Sequence, residues 1–267
     1  MALMILTSAT GSPGVTTTAL GLTLTWSNDV LLADCDREPA QSIQAGYLRG
    51  ADHGGRGLSA LALLHREHQP LISNLQLQSI ELAEHELQRR YLPGFGHPGA
   101  VRLFDPVWPE LGTALAELSN RGMDVIVDAG RISPTGLPLP LLTAAECVVV
   151  LTRTSLRALA SARLYLPILT EQLAGLPVDM PLGLMLVGEG KPYSQAEITN
   201  QFGISCWASI PWHERHAAVL SDGADEPRRF ADTTLMHHFR AIGLRLLERL
   251  HREQDLRRDL IGGPVHV

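Results

Sequence analysis

The chain has 267 residues, enough for one large domain, and 45% of them are hydrophobic, as expected of a protein with a sizeable core. Its formal net charge of −6 disfavours bulk electrostatic binding to nucleic acid, although it leaves room for a local arginine patch. No run of about 18 apolar residues lacks charges or helix breakers, so the composition predicts no transmembrane helix.

The first element is an apolar run at residues 2–7, which predicts a buried strand. This run lacks a preceding basic segment and continues directly into a Gly-rich turn, which is not the pattern of a signal peptide. A helix is predicted immediately after the turn, at residues 15–26. Strand, Gly-rich turn and helix together form a context in which backbone N–H groups and a helix N-terminus bind anionic oxygens.

Strand and helix patterns then alternate along the rest of the chain. Further strands are predicted at 29–34, 89–92, 123–128, 146–152, 182–187 and, more weakly, 205–210. Further helices are predicted at 58–66, 74–87, 108–121, 155–174, 194–201 and 230–255, with flexible segments at 49–57 and 93–100. The alternation predicts an α/β fold, a single doubly wound, mostly parallel sheet with helices on both faces. We expect this domain over residues 1–255 and a C-terminal tail over 256–267.

Polar residues follow three of the predicted strands. The Gly-rich turn follows the first strand, Asp34 and Asp36 end the second, and Asp128 with Gly130 ends the strand at 123–128. Ligands of doubly wound sheets bind outside the carboxyl ends of the strands. We therefore expect these residues to converge on one site. The plainer alternative is that the glycines only shape a tight turn and the aspartates are ordinary turn residues.

The Gly-rich turn carries a resemblance to a known family. Residues 10–17, Thr-Gly-Ser-Pro-Gly-Val-Thr-Thr, resemble the motif K-G-G-x-G-K-[ST]-[ST] of the MinD/ParA family of deviant-Walker P-loop ATPases. The segments 30–36 and 125–131 resemble that family's paired aspartates and its second switch, and Ser-Ile-Pro211 resembles a later family segment. The likeness covers most of residues 1–250.

The resemblance implies a set of functional residues. Asp34 and Asp128 would be catalytic, and Thr16, Asp34 and Asp128 would hold Mg²⁺. Pro211 and the loop 188–191 would lie at the nucleotide base. The implied nucleotide-binding residues are Gly11, Ser12, Pro13, Gly14, Val15, Thr16, Thr17, Asp36, Arg37, Gly130, Arg131 and Pro211.

Both lysines of the family motif are replaced, the first by Thr10 and the second by Val15. The sequence has one lysine, Lys191, so no shift of register restores either. A cationic contact of the second kind supplies on the order of 10²–10³ in rate, and a hydrocarbon side chain cannot replace it. We therefore expect hydrolysis to be weak or absent. Backbone donors need no lysine, so the sequence leaves open whether ATP or ADP binds with Mg²⁺ or no cofactor binds.

The leading hypothesis is a cytoplasmic, dimerising pseudo-ATPase, or very weak ATPase, in the positioning or assembly of a pilus or secretion machine. Within the family it is similar to the CpaE/TadZ pilus-assembly branch. The implied partners are a second copy and a secretion or pilus ATPase or polar-localisation factor, with peripheral contact at the inner membrane face and no nucleic acid. One alternative is an active ATPase in which Arg37, Arg131 or a partner's arginine replaces the lysine. Another is a nucleotide-free structural dimer.

The remaining residues predict structure more than chemistry. Cys147 and Cys206 lie in predicted buried strands, and the eleven histidines show no metal-ligand spacing. The final helix carries an apolar stripe that is expected to pack on the sheet, while its basic end is a candidate for membrane or partner contact. The stripe consists of Phe230, Leu235, Phe239, Ile242, Leu246, Leu247 and Leu250.

Overall fold

The computed structural model describes residues 2–9, 13–83, 86–190 and 192–261, without the side chains of 254 and 256–261. One eight-stranded sheet has the order β3-β4-β2-β5-β1-β6-β7-β8, and every neighbouring pair is parallel except β3 with β4. This confirms the predicted fold class. The strands are β1 (Leu3–Ser8), β2 (Val30–Asp34), β3 (Ile80–Glu81), β4 (Arg89–Leu92), β5 (Asp124–Arg131), β6 (Cys147–Arg153), β7 (Leu182–Val187) and β8 (Cys206–Ile210).

Helices cover both faces of the sheet. They are α1 (Val15–Thr25), α2 (Ser42–Ala45), α3 (Leu58–Arg66), α4 (Leu71–Gln78), α5 (Pro98–Leu103), α6 (Trp108–Asn120), α7 (Leu139–Ala144), α8 (Leu156–Ala174), α9 (Gln195–Phe202), α10 (Glu214–Ser221) and α11 (Thr234–Ile261), with 3₁₀ helices at Asp105–Val107 and Phe230–Asp232. One hydrophobic cluster lies beneath α3, α4, α6 and α8, and the other beneath α1, α10 and α11. Alternate residues of β1 belong to opposite clusters, because successive strand side chains point to opposite faces.

The helix predicted at 74–87 is wrong in its second half. α4 ends at Gln78, and Ile80 and Glu81 pair antiparallel with β4. Ser79 has extended backbone angles, and its hydroxyl accepts a hydrogen bond of 2.6 Å from Arg90 Nε. Cross-strand contacts thus override the local helix pattern.

Other departures concern short or terminal elements. The segment predicted to be flexible at 93–100 contains the start of α5, where Pro98 occupies the first turn and the His97 ring accepts a hydrogen bond from Gly99 N–H. α2, α7 and α10 were not predicted, because helices of four to eight residues give little periodic signal. α11 continues to Ile261, past the predicted end at 255. Within the described ranges, none of the helices combines the length and apolarity needed to cross a bilayer.

The last helix packs closely on the first. The apolar stripe predicted at the C-terminal end is buried, as expected. At the crossing, a Cβ on Gly21 would lie only 2.2 Å from Phe239 Cε2, so the ring occupies space that another side chain would need. α1 is also tied to the sheet by Trp26, whose indole N–H donates to the buried Asp124 Oδ2 at 2.8 Å. These contacts fix the helix that begins at the Gly-rich turn.

We predict that Gly21→Ala destabilises the protein by about 1–3 kcal/mol, because the added methyl overpacks against Phe239. Alanine is otherwise the better helix former by roughly 1 kcal/mol, so a net loss reports the clash. Urea unfolding measures the change, and Phe239→Leu added to Gly21→Ala should recover part of it. A Gly21→Ala protein as stable as the wild type would show that the added methyl fits between α1 and α11 and would contradict the predicted clash.

Candidate functional site

The Gly-rich turn leads directly into α1 at the carboxyl end of β1. Gly14 is in the left-handed region with φ of +96°, where a Cβ would be strained, and it precedes the first helical residue, Val15. The first turn of a helix leaves its backbone N–H groups without partners inside the helix. The N–H groups of Val15, Thr16 and Thr17 therefore form the donor end of α1, and no acidic residue lies in that turn.

Two carboxylates lie side by side next to this helix end. Asp34 on β2 pairs in register with Asp128 on β5, and Asp128 also pairs with Leu6 on β1. Asp34 Oδ2 accepts a hydrogen bond of 3.1 Å from Tyr91, and Asp128 Oδ1 accepts one of 2.9 Å from Gly130 N–H. Asp128 is fully buried, and its Oδ2 makes no hydrogen bond of normal geometry within the described part of the chain.

Burial and neighbouring carboxylates raise the pKa of both aspartates. Burial, followed by the charge of Asp128, raises the pKa of Asp34 to about 7. Burial likewise raises the pKa of Asp128 to about 6, although the nearby Thr16 hydroxyl and Gly130 N–H oppose the rise. The two groups therefore carry part of a proton near neutral pH and would gain from a cation beside them.

Glycines allow the carboxylates to approach the backbone this closely. A Cβ on Gly94 would lie 2.7 Å from Asp34 Cγ. Gly130 has φ of +59°, and a Cβ there would lie 2.1 Å from Asp36 Cγ. The chain therefore needs glycine at both positions for the acidic cluster to form.

A cleft of about 500 Å³ opens above the α1 N-terminus, within the size range of small-molecule sites. Its floor is formed by the Gly-rich turn and the ends of the central strands, and α10 and α11 form one wall. Among the predicted site residues, it is lined by Pro13, Gly14, Val15, Thr16, Thr17, Asp36, Gly130, Arg131 and Pro211. Its apolar wall includes Val187, Ile210, Leu235 and Phe239.

Other predicted site residues lie elsewhere. Asp34 and Asp128 lie in the layer below the cleft, and Arg37 does not line it. The Arg37 guanidinium donates to Ser133 Oγ at 2.9 Å and to the carbonyl of Gly136. Gly188 and Glu189 line a neighbouring cleft beside β8. Gly11, Ser12, Thr10 and Lys191 lie outside the described residues.

Several cleft residues were missed in the sequence, among them an arginine and a tryptophan that contact each other. Arg153 ends β6, and Trp212 follows β8 after Pro211; both line the cleft. The guanidinium of Arg153 lies over the Trp212 ring, 4.4 Å from its centroid. The rule that ligands bind at the carboxyl ends of strands would have identified Arg153, because the strand predicted at 146–152 ends just before it.

The residues present fit a hydrated divalent cation. Carboxylate and hydroxyl oxygens are the ligands that Mg²⁺ prefers, and Asp128 Oδ2 is a buried acceptor that a cation or a water bound to it would satisfy. Within the described ranges, no cluster of three or more His, Cys, Asp or Glu residues has the geometry to hold a metal by itself. A cation at Thr16 and Asp128 would therefore need ligands from a bound molecule or water.

No family model and no curated protein sequence matches the chain. Solved structures do match it. A ParA family ATPase from Chlorobium tepidum TLS is 16% identical with a TM-score of 0.69, covering 91% of this chain and 98% of its own. MinD in the MinC:MinD complex of Aquifex aeolicus is 12% identical with a TM-score of 0.68, covering 93% and 96%. MinD with Mg-ADP from Pyrococcus horikoshii OT3 is 16% identical with a TM-score of 0.64, covering 92% and 95%. The chain therefore has the fold of the ParA and MinD ATPases.

The raised pKa values predict an unusual dependence of stability on pH. In the unfolded chain the two carboxyls ionise near 3.8, whereas in the folded protein they do so at about 7 and about 6. The folded state holds more protons in this window, so the free energy of unfolding should fall as pH rises from about 4 through about 7. Urea unfolding from about pH 5 to about pH 8 with EDTA measures this. Asp34→Asn should flatten the dependence, and the exposed control Asp52→Asn should not. Equal pH profiles for wild type and Asp34→Asn would contradict it.

Proposed function

We propose that this protein is a MinD/ParA-like nucleotide-binding protein that hydrolyses ATP weakly or not at all and acts by forming a dimer. The proposal is supported by the fold, by the cleft at the N-terminus of α1 and by the two buried carboxylates beneath it. The observation that carries it is the side chain of Val15. Val15 is the first residue of α1 and lines the cleft, yet it is only 7% exposed and packs in the hydrophobic cluster under α1.

Nucleotide binding in this cleft would rest on backbone groups. The N–H groups at the start of α1 would bind phosphate oxygens, and the helix dipole favours negative charge there. Thr16, with Asp128 and Asp34 acting through water, would hold Mg²⁺, which supplies charge neutralisation between phosphate oxygens. The apolar wall near Pro211 would take the base. The solved structure of MinD with Mg-ADP shares this fold, which supports the assignment.

Turnover is expected to be slow because no lysine is among the described residues that line the cleft. The first turn of α1 supplies only hydrocarbon and hydroxyl side chains, so charge developing during phosphoryl transfer would meet no cation from this helix. Asp128 accepts a hydrogen bond from Gly130 N–H and lies beside the Thr16 hydroxyl. The residues that would hold Mg²⁺ are therefore present, whereas a lysine in the first turn of α1 is not. Ligand binding without efficient chemistry follows from that combination.

The alternative of an active ATPase with Arg37 or Arg131 in place of lysine finds less support. Arg37 is bound to Ser133 and Gly136 outside the cleft. Arg131 lines the cleft, and its guanidinium forms an ion pair of 3.2 Å with Glu38, so part of its charge is already neutralised. An arginine supplied by a partner is the other version of this alternative, and phosphate release measured with and without the partner tests it.

Val15→Lys should raise the affinity for ATP about tenfold in Mg²⁺, because it adds a charge-assisted hydrogen bond to the phosphates. Val15→Met is the matched control, since it has similar length and no charge, and it should leave affinity unchanged. Titration calorimetry with ATP and ADP measures binding, and phosphate release measures turnover. We expect the wild type to bind nucleotide with little turnover.

Vigorous Mg²⁺-dependent turnover by the wild type, abolished by Asp128→Asn, would contradict the pseudo-ATPase proposal. Lack of any ATP or ADP binding by the wild type would instead favour the nucleotide-free structural dimer.

The dimer and its partner form the narrower part of the proposal. The family resemblance and the MinC:MinD complex among the matching folds support a second copy and a protein partner. Sedimentation velocity should show a dimer, favoured by ATP with Mg²⁺, that binds a purified secretion or pilus ATPase. A monomer under all nucleotide conditions would refute dimerisation. A dimer that ignores the secretion ATPase would refute the role in pilus or secretion assembly alone.

A further inference from the structure

Arg153 and Trp212 are in contact across the carboxyl ends of β6, β7 and β8. Arg153 on β6 pairs in register with Val187 on β7, which pairs with Ile210 on β8, and Trp212 lies two residues further on. The backbone after Arg153 is fixed, because Thr154 Oγ1 donates to the carbonyl of Gly188 at 2.8 Å. The side chain of Arg153 therefore spans the cleft from a rigid base.

Trp212 is an exposed aromatic side chain that lines the cleft. It is 45% exposed, and Arg153 covers one face of its ring. Nucleobases stack on exposed aromatic rings, and an arginine guanidinium competes for the same face. A base that binds in this cleft thus meets Arg153 where stacking would occur.

Arg153 also lies close to the phosphate end. β6 is the direct neighbour of β1, and Leu151 pairs with Ser8, just before the Gly-rich turn. Adjacent strands are about 4.8 Å apart, so the Arg153 backbone is nearer to the end of β1 than to β8, two strands away. Rotation about side-chain bonds can bring the guanidinium toward the α1 N-terminus without moving the backbone.

Apart from Arg153, the charged side chains that line the cleft are mostly acidic. Asp36, Glu38, Glu214 and Asp222 line the cleft, and Arg131 pairs with Glu38. His213, next to Trp212, has a pKa lowered by burial and then by His216 and His238, which favours its neutral form. A polyanion at the helix end therefore needs a positive charge from elsewhere in the cleft.

We propose that Arg153 has two positions: it covers Trp212 when no base is bound, and it turns to the phosphates of a nucleoside di- or triphosphate when the base takes that ring face. Stacking of the base on Trp212 is then coupled to neutralisation of the phosphates by Arg153, which takes the place of a P-loop lysine. The inference rests on the proposed function, because it requires a nucleotide in this cleft.

The test compares adenosine with ATP in Mg²⁺ by titration calorimetry. Arg153→Gln should bind ATP about tenfold more weakly, because a charge-assisted contact is lost. The same variant should bind adenosine about two- to fivefold more tightly, because the ring face is uncovered. Arg153→Lys should keep most of the ATP affinity while binding adenosine more tightly, since lysine lacks the planar stacking surface. Trp212→Leu should weaken both ligands. Arg121→Gln, a surface arginine paired with Glu117, is the control and should change neither.

Opposite shifts for the two ligands support the coupling. Three results would overturn the coupling and leave nucleotide binding intact. They are shifts in the same direction, no shift in Arg153→Gln, and ATP binding without adenosine binding in both the wild type and Arg153→Gln. Failure of the wild type to bind ATP, ADP and adenosine would remove the proposed function and this inference together.

Discussion

The arrangement of residues at the carboxyl ends of the central strands depends on two carboxylates, Asp34 and Asp128, that lie side by side in a buried site. Parallel pairing of β2 with β5 puts Asp34 opposite Asp128, and Leu6 on β1 pairs with Asp128 from the other side. Their repulsion is moderated by Tyr91 and by the N–H of Gly130. Gly94 and Gly130 are needed because any larger residue would collide with a carboxylate. The fold thus holds two carboxylates that attract cations, and their burial raises the pKa of each.

The first turn of α1 carries no lysine, which determines where positive charge at this helix end can come from. Val15 belongs to the hydrophobic cluster, so the start of α1 is fixed to the core by apolar packing, and the helix dipole and backbone donors are what remain for anions. Arginines on neighbouring strand ends are the cations available, each already in contact with a residue of its own: Arg37 with Ser133, Arg131 with Glu38 and Arg153 with Trp212. Any anion that enters must compete with these contacts.

The long, regular elements were predictable from sequence, and the reasons are physical. Continuous apolar runs such as 146–152 and 182–187 have few alternatives to a buried parallel strand. The carboxyl ends of the runs at 2–7, 29–34 and 123–128 located the Gly-rich turn, Asp34 and Asp128. The stretch 74–87 was wrong because its fate depends on pairing with Arg90 and Tyr91, a non-local contact that periodicity does not contain. Trp212 and the α11 wall of the cleft were missed for a similar reason. They reach the site from distant parts of the chain, and only the three-dimensional packing brings them to it.

The last helix forms a wall of the cleft that is anchored in the hydrophobic core. α11 has 28 residues, so it is a rod about 42 Å long, and its first turns supply Leu235 and Phe239 to the cleft wall. Because Phe239 presses on Gly21, this end of the rod is wedged against α1, while the other end extends toward Ile261. Ile242, Leu246 and Leu250 continue this packing along α11, so the cleft wall is anchored to the core over about four helical turns. The width of the cleft at this wall is therefore set by how α11 packs on α1 and on the sheet.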